Sequence, residues 1–399
     1  MSLFSLVGRL AGEDRTAIAF HPGRCLHALD RHANCQACAQ VCPAEAIHPG
    51  KPPVFDAGKC AHCLACLQTC PTGAFLAEDS STALLNCVTR SDARMVELLC
   101  DHNPNTDRGW LKAGLGFQLH GCLAGLGAGG YLALAALGLE QVVVRLDACK
   151  ECPWQTLRPS VEAQVSLAQA LLGPYQKEHI FQCADMVDAP CEHQIWDVDN
   201  PPFSRRDLFT FAIKQGRGAI AGFMEHTEKG DGDKPAPARM RILSALTYLK
   251  APSSVANPQL PNGNFASLAV SEACTACGTC ARACPTHAIR FGLDEGAQTF
   301  QLNFFPQLCI GCDLCAHVCK PEAVAIDHAP TFHQVFGSAD ALLLLKGEIA
   351  HCKSCQTVYA ARPGISLCPV CEFRRQNPFG TMRPQVKITL DKKNGEAQQ

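Results

Sequence analysis

Four cysteine runs constrain this chain more than anything else in it. The plainest reads "KCAHCLACLQTCPTGAF", with Cys60, Cys63, Cys66 and Cys70 followed by Pro71. Thiols this dense serve disulfides, zinc or iron–sulfur clusters. Short two-residue gaps let one loop offer three thiolates to one cubane, and the three-residue gap carries the fourth away toward another. Such a run therefore requires a second one to exchange ligands with. Upstream lie Cys25, Cys35, Cys38 and Cys42 before Pro43, with a first gap of nine residues instead of two. We read that gap as an enlarged loop, with Cys25 still reaching its cluster. Near the other end come Cys274, Cys277, Cys280 and Cys284, then Cys309, Cys312, Cys315 and Cys319. After Cys319 the proline stands one place late, at Pro321, which puts the local turn in question.

Both pairs of runs resemble bacterial-type two-cluster ferredoxins, over roughly residues 15 to 78 and 265 to 330. The resemblance implies four 4Fe–4S clusters with crossed fourth ligands. The expected sets are Cys25, Cys35, Cys38 with Cys70, and Cys60, Cys63, Cys66 with Cys42. The second pair would give Cys274, Cys277, Cys280 with Cys319, and Cys309, Cys312, Cys315 with Cys284. The exits CPAEAI, CPTGAF, CPTHAI and CKPEAV are variants of one helix-to-strand phrase.

A disulfide framework is the competing explanation. The chain has 27 cysteines in 399 residues, an odd number, and disulfide-dense chains are usually small and secreted. The start shows no basic stretch followed by a sustained apolar one, so no secretory signal is expected, and metal-bound thiolates in a reducing cytoplasm fit better. Net charge is −2, so nothing in the bulk electrostatics suggests nucleic acid, and no nucleic-acid partner is expected. The most apolar stretch, 123 to 139, holds five glycines and is short for a membrane span. No transmembrane segment is expected, and any membrane association would run through a partner.

Between the ferredoxin halves the pattern changes. "ALLNCV", "MVELLCDH", "GFQLHGC", "EQVVVRLDAC" and "EHIFQC" are short apolar runs suited to buried strands. Helical patterns at 126 to 138 and after Pro159 alternate with them, which argues for an α/β layer with a largely parallel sheet. Cys87, Cys100, Cys122, Cys149 and Cys183 then fall at strand ends, with Cys152 just beyond Cys149. Ligands of open α/β sheets bind outside those ends. "HGCLAGL", "ALGLEQVVV" and "DACKEC" are similar to the delta subunit of methyl-viologen-reducing hydrogenase. That resemblance implies an additional iron–sulfur or redox site from Cys122, Cys149 and Cys152, completed by Cys87 or Cys100. The alternative is that these cysteines are small buried hydrophobes. Cys191 belongs to no set.

Residues 197 to 264 read as a connector. Ser204 is expected to cap a helix there. "EKGDGDKPAPARMR" is charged and rich in glycine and proline, as mobile segments are. "RMRILSALTYLK" reads as a basic helix with a solvated face. Finally, Cys352, Cys355, Cys368 and Cys371 form two knuckles that suit one tetrahedral zinc, with rubredoxin-type iron as the alternative.

The expected architecture is α+β and multidomain. A ferredoxin domain (1–80), an α/β domain (81–196), a connector with helices (197–264), a second ferredoxin domain (265–330), a helix plus zinc ribbon (331–380) and a tail follow in turn. No strand-borne GxGxxG and no catalytic triad pattern is present. The expected function is an electron-transfer subunit of a larger oxidoreductase, such as a hydrogenase, formate dehydrogenase or heterodisulfide-reductase-like complex. It would be non-catalytic itself, with a catalytic subunit and a second electron carrier as partners. The alternatives are a reductase acting on a sulfur or disulfide substrate at the middle cysteines, and a module in which clusters serve folding and interaction only.

Overall fold

The computed structural model describes residues 18–30, 33–186, 189–202, 236–249, 257–261, 265–338 and 340–378. The expected cap at Ser204 and most of the glycine- and proline-rich stretch lie outside them.

The core is a five-stranded, wholly parallel sheet in the middle of the chain. Its strands are β1 (Met95–Cys100), β2 (Leu115–Leu119), β3 (Gln141–Arg145), β4 (Phe181–Ala184) and β5 (Ile195–Asp197), in the order β5-β2-β1-β3-β4. Valine and leucine occupy both faces, as a parallel sheet covered on both sides requires. Val96, Leu98, Val142 and Val144 are fully buried on one face, and Leu99 and Val143 on the other.

Helices α1 (Ser81–Arg90), α2 (Gly127–Ala136) and α3 (Arg158–Leu172) accompany the sheet. The α1 helix replaces the strand expected for "ALLNCV". Its buried residues Leu84, Leu85, Cys87 and Val88 fall at helical spacing, a period that six residues read alone cannot reveal. The glycine-rich apolar stretch becomes α2, buried over Gly127 to Ala135, a core helix and not a membrane span. No helix among the described residues is long and apolar enough to cross a membrane.

The basic helix is also not a solvated one. As α4 (Pro237–Tyr248) it packs along α2 and buries Arg239, Arg241, Ile242, Ala245 and Leu246. Arg241 pairs with the carboxylate of Asp79, and the Arg239 guanidinium lies 3.8 Å over the ring of Phe265. Its arginines therefore join the two ends of the chain to the middle.

Each cysteine-run pair has two short antiparallel ladders. In the first, Ala19–Phe20 pairs with Phe75–Leu76, and Ile47–His48 with Val54–Phe55. In the second, Ser267–Val270 pairs with Val324–Asp327, and Ile289–Asp294 with Thr299–Phe304. The latter hairpin extends into a four-stranded sheet through Leu342–His351 and Val358–Ala360. The carboxy-terminal knuckles are thus continuous with the second pair.

Candidate iron–sulfur and metal centres

The four runs share a backbone plan. The first cysteine of each donates its amide to the carbonyl three residues earlier: Cys25 to Pro22, Cys60 to Ala57, Cys274 to Ser271 and Cys309 to Pro306, at 3.0–3.3 Å. Cys25, the outlier in spacing, therefore occupies the same turn as the others. Three residues after each fourth cysteine the backbone turns left-handed, at Glu45, Gly73, His287 and Glu322. The next residue is always a buried alanine. Ala46, Ala74 and Ala323 donate their amides to the sulfurs of Cys42, Cys70 and Cys319 at 3.2–3.3 Å. The displaced Pro321 leaves that turn intact.

Runs two to four also place a left-handed residue on each side of the second cysteine: His62 and Leu64, Ala276 and Gly278, Gly311 and Asp313. Such alternation folds successive amides into a concavity that suits anionic sulfur. The first run lacks this pair, because its enlarged loop reaches Cys35 by another path. That loop starts with a helical turn, Leu26–Leu29, and buries Leu26 against Ile310 and Leu314.

The thiols gather in crossed groups. One cavity is lined by Cys274, Cys277, Cys280 and Cys319, walled by Phe291 and Leu302. A second is lined by Cys284, Cys309, Cys312 and Cys315, walled by Ile289 and Ile326. In the first half, burial pushes the Cys38 thiol up to about 12, and thiolates at Cys70, Cys35 and Cys25 push the same way. Burial likewise pushes Cys63 up to about 11, against an amide hydrogen bond and with Cys42 and Cys60 adding to it. Four thiols converging on one cavity supply the anionic donors that a cubane takes from its protein. The donor sets thus fit the clusters that their spacing implies.

In the middle domain, Cys100 ends β1, Cys122 follows β2, and Cys149 and Cys152 follow β3, so three adjacent strands deliver thiols to one end of the sheet. Burial pushes Cys122 up to about 12, opposed by the Ala124 amide and reinforced by Cys100, Cys63 and Cys149. Burial pushes Cys100 up to about 11, opposed by the His102 amide and reinforced by Cys149, Asp101 and Cys152. Cys87 stands apart: on α1 its sulfur faces the Val198 carbonyl at 3.5 Å. Of the two candidates to complete the set, Cys100 is the one beside the other thiols. Cys183 is exposed on β4, one strand further out.

The groups adjoin one another. Cys122 lies close enough to Cys63 to feel its charge, and Gln68 donates to the Gly125 carbonyl at 2.8 Å. Cys66 is likewise influenced by Cys38. Cys35 and Cys312 both pack on the Leu26, Ile310 and Leu314 contact.

The carboxy-terminal sulfurs of Cys352, Cys355, Cys368 and Cys371 lie within 4.8 Å of one another, close enough for one ion. Burial raises the Cys352 thiol, but amides of Cys368, Cys355 and Ser354 outweigh it and bring it down to about 6. Arg362 donates to the carbonyls of Glu272 and Ala273 at 3.2 and 2.9 Å, seating the ribbon beside Cys274. A second ligand-type group, Glu97, Cys191 and His193, is assembled by the fold from distant parts of the chain. Its only local signal is Cys191-x-His193, because Glu97 is almost a hundred positions away.

A family model described as a 4Fe-4S dicluster domain matches residues 273–323, and one described as a 4Fe-4S binding domain matches residues 53–76. No curated protein matches the chain. The chain therefore carries two ferredoxin-type 4Fe–4S domains, which point to an iron–sulfur protein of the electron-transfer kind.

Proposed function

We propose that this chain is the electron-transfer subunit of a multisubunit oxidoreductase, of the hydrogenase, formate dehydrogenase or heterodisulfide-reductase-like kind, with four 4Fe–4S clusters in the crossed cysteine sets. The observation that carries this reading is the unbroken succession of cysteine groups. The middle set (Cys100, Cys122, Cys149, Cys152) abuts the Cys63 loop, whose neighbour holds Cys38, and Leu26 with Cys35 abuts Ile310 with Cys312. Bound there, each cluster supplies one-electron redox chemistry, with a potential set by hydrogen bonds and exposure.

The chain's own residues do the rest. The amides of Ala46, Ala74 and Ala323 hold the fourth thiolates. Phe75, Ile289 and Phe304 are buried beside the cysteines and exclude water. The middle set would hold an additional iron–sulfur cluster. Cys352, Cys355, Cys368 and Cys371 would hold one zinc ion, which four thiolates close to substrate. A catalytic subunit and a second carrier would dock at the two ends of the succession, in a reducing, cytoplasmic setting.

A second reading, a reductase acting on a sulfur or disulfide substrate, draws on the middle set alone. Its thiols sit at the carboxyl ends of parallel strands, where such sheets bind ligands. Turnover of a disulfide by the isolated, reduced chain would favour it.

Iron and acid-labile sulfide assayed in the anaerobically reconstituted chain test the main reading. About sixteen irons are expected from the four ferredoxin sets. A ceiling near half of that overturns it.

A further inference from the structure

We propose that Glu97, Cys191 and His193 form a further divalent metal site, of the zinc class, on the face of the middle sheet turned away from α2. Glu97 and Arg145 project from β1 and β3 into this face and are buried at 0 and 1 % exposure. Residues 189 to 197 cross over it. Ala189 and Pro190 pair antiparallel with Gly109 and Arg108, and Ile195 to Asp197 join the sheet edge as β5. Gly109 permits the close approach: a Cβ there would meet His193 Cε1 at 2.7 Å and Cys191 Sγ at 3.1 Å.

The geometry points to a shared cation. The same ring nitrogen, His193 Nε2, lies 2.9 Å from Glu97 Oε1 and 3.7 Å from Cys191 Sγ. A nucleophile–base–acid triad uses the two different nitrogens of its imidazole, so this arrangement is not one. One nitrogen cannot direct a single proton at both partners: without a metal the Cys191 thiol donates to the His193 carbonyl, 3.3 Å from Sγ, whereas a metal can be shared by sulfur, nitrogen and carboxylate together. Tetrahedral zinc at ordinary bond lengths would separate its nitrogen and sulfur ligands by roughly 3.5 Å and its nitrogen and oxygen ligands by roughly 3.3 Å. The observed separations lie within about half an ångström of these.

The charges also favour it. Arg145 makes its short bonds to Asp147, at 2.8 Å from both Nε and Nη2, and reaches Glu97 only at 3.3–3.4 Å. Its Nη1 also donates to the Arg108 carbonyl at 3.0 Å, and its Nη2 to the Asn105 carbonyl at 3.1 Å. Glu97 Oε2 accepts from the Trp110 amide at 3.0 Å, which orients the carboxylate with Oε1 toward His193. Two carboxylates against one guanidinium leave one negative charge in a buried place. A divalent ion bound by the Cys191 thiolate and a neutral His193 brings the total to zero, with release of the thiol proton. A proton on His193 would neutralise the site as well, and that is the competing occupant. Thiolate, imidazole and carboxylate together suit zinc. Three protein ligands leave its fourth position to water or a small ligand.

Zinc is measured in the full chain purified with its clusters, beside Cys191→Ser, His193→Gln and the ribbon variant Cys368→Ser. About two zinc ions are expected in the parent and about one in each variant, with iron content unchanged. Zinc content in Cys191→Ser and His193→Gln equal to the parent's overturns the proposal. Because these variants could misfold, crystals of the parent are also measured on either side of the zinc absorption edge. An anomalous peak among Glu97, Cys191 and His193 that appears only above the edge supports the site. No peak there overturns it, as does a peak that persists below the zinc edge.

Discussion

At the scale of single residues, charge and sulfur chemistry decide what each group can do. Cys122, Cys149 and Cys152 come from two different strand ends yet face one another with Cys100, so serine at any of the three should abolish the same spectroscopic signal. The ferredoxin signals should persist. Electron paramagnetic resonance of the reduced variants checks this, and three spectra identical to the parent's would make these cysteines ordinary core residues. Asp147 offers a test of the sheet's buried charges. Burial pushes its carboxyl up, but hydrogen bonds from Arg145, Asn105 and Asn103 outweigh that and hold it below its ordinary value. A depressed carboxyl contributes stability above its unfolded pKa of about 4, and loses it as the pH falls through the folded value. Asp147→Asn should therefore cost about 1.5–3 kcal/mol at neutral pH and flatten the acid limb of the stability profile. Thermal unfolding at several pH values would show it, and parallel parent and variant profiles would contradict it.

At the scale of elements, the close contact of α2 with α4 rests on a glycine. A Cβ at Gly129 would meet Arg241 Cβ at 2.6 Å and the Ile242 amide at 3.1 Å. Alanine in a helix gains about 0.5–1 kcal/mol over glycine. Overpacking costs about 1–3 kcal/mol, so the net effect of Gly129→Ala should be destabilising. Amide exchange should quicken in both helices, whereas Gly23→Ala, where a Cβ would meet nothing within 4 Å, should leave it unchanged. Unaltered exchange in α4 would show that the helix is held by other contacts. Gly73 illustrates the same point in a cluster turn. Glutamate and histidine tolerate the left-handed conformation at the three equivalent positions, but at Gly73 a Cβ would press on Pro237 at 2.9 Å. It is the approach of α4, more than the turn, that asks for glycine.

At the scale of the whole molecule, the two cysteine-rich halves meet through the enlarged loop of the first run. Leu26, Ile310 and Leu314 are buried there at 7, 7 and 3 % exposure. Ile310→Asp would place an uncompensated charge in that contact, weakening it by on the order of 2 kcal/mol or more. Iron content should stay at the parent's level while magnetic coupling between reduced centres of the two halves declines. Coupling of undiminished strength would mean that the halves are held together elsewhere.

The sequence by itself determined the four thiol runs, their crossed pairing as an expectation, the alternation of strand and helix in the middle, and the carboxy-terminal knuckles. Those features are local, because ligand spacing within one loop and apolar periodicity within one segment are set by near neighbours. Only the tertiary structure decided that "ALLNCV" is helical, that Cys100 and not Cys87 stands with Cys122, and that the basic helix is an internal brace. It alone revealed why the first gap is nine residues long, since the extra chain packs on a surface nearly three hundred positions away. It alone brought Glu97 to Cys191 and His193. Groups that far apart in the chain meet only when a sheet is assembled between them, and no local pattern records which face of that sheet a later segment will cover.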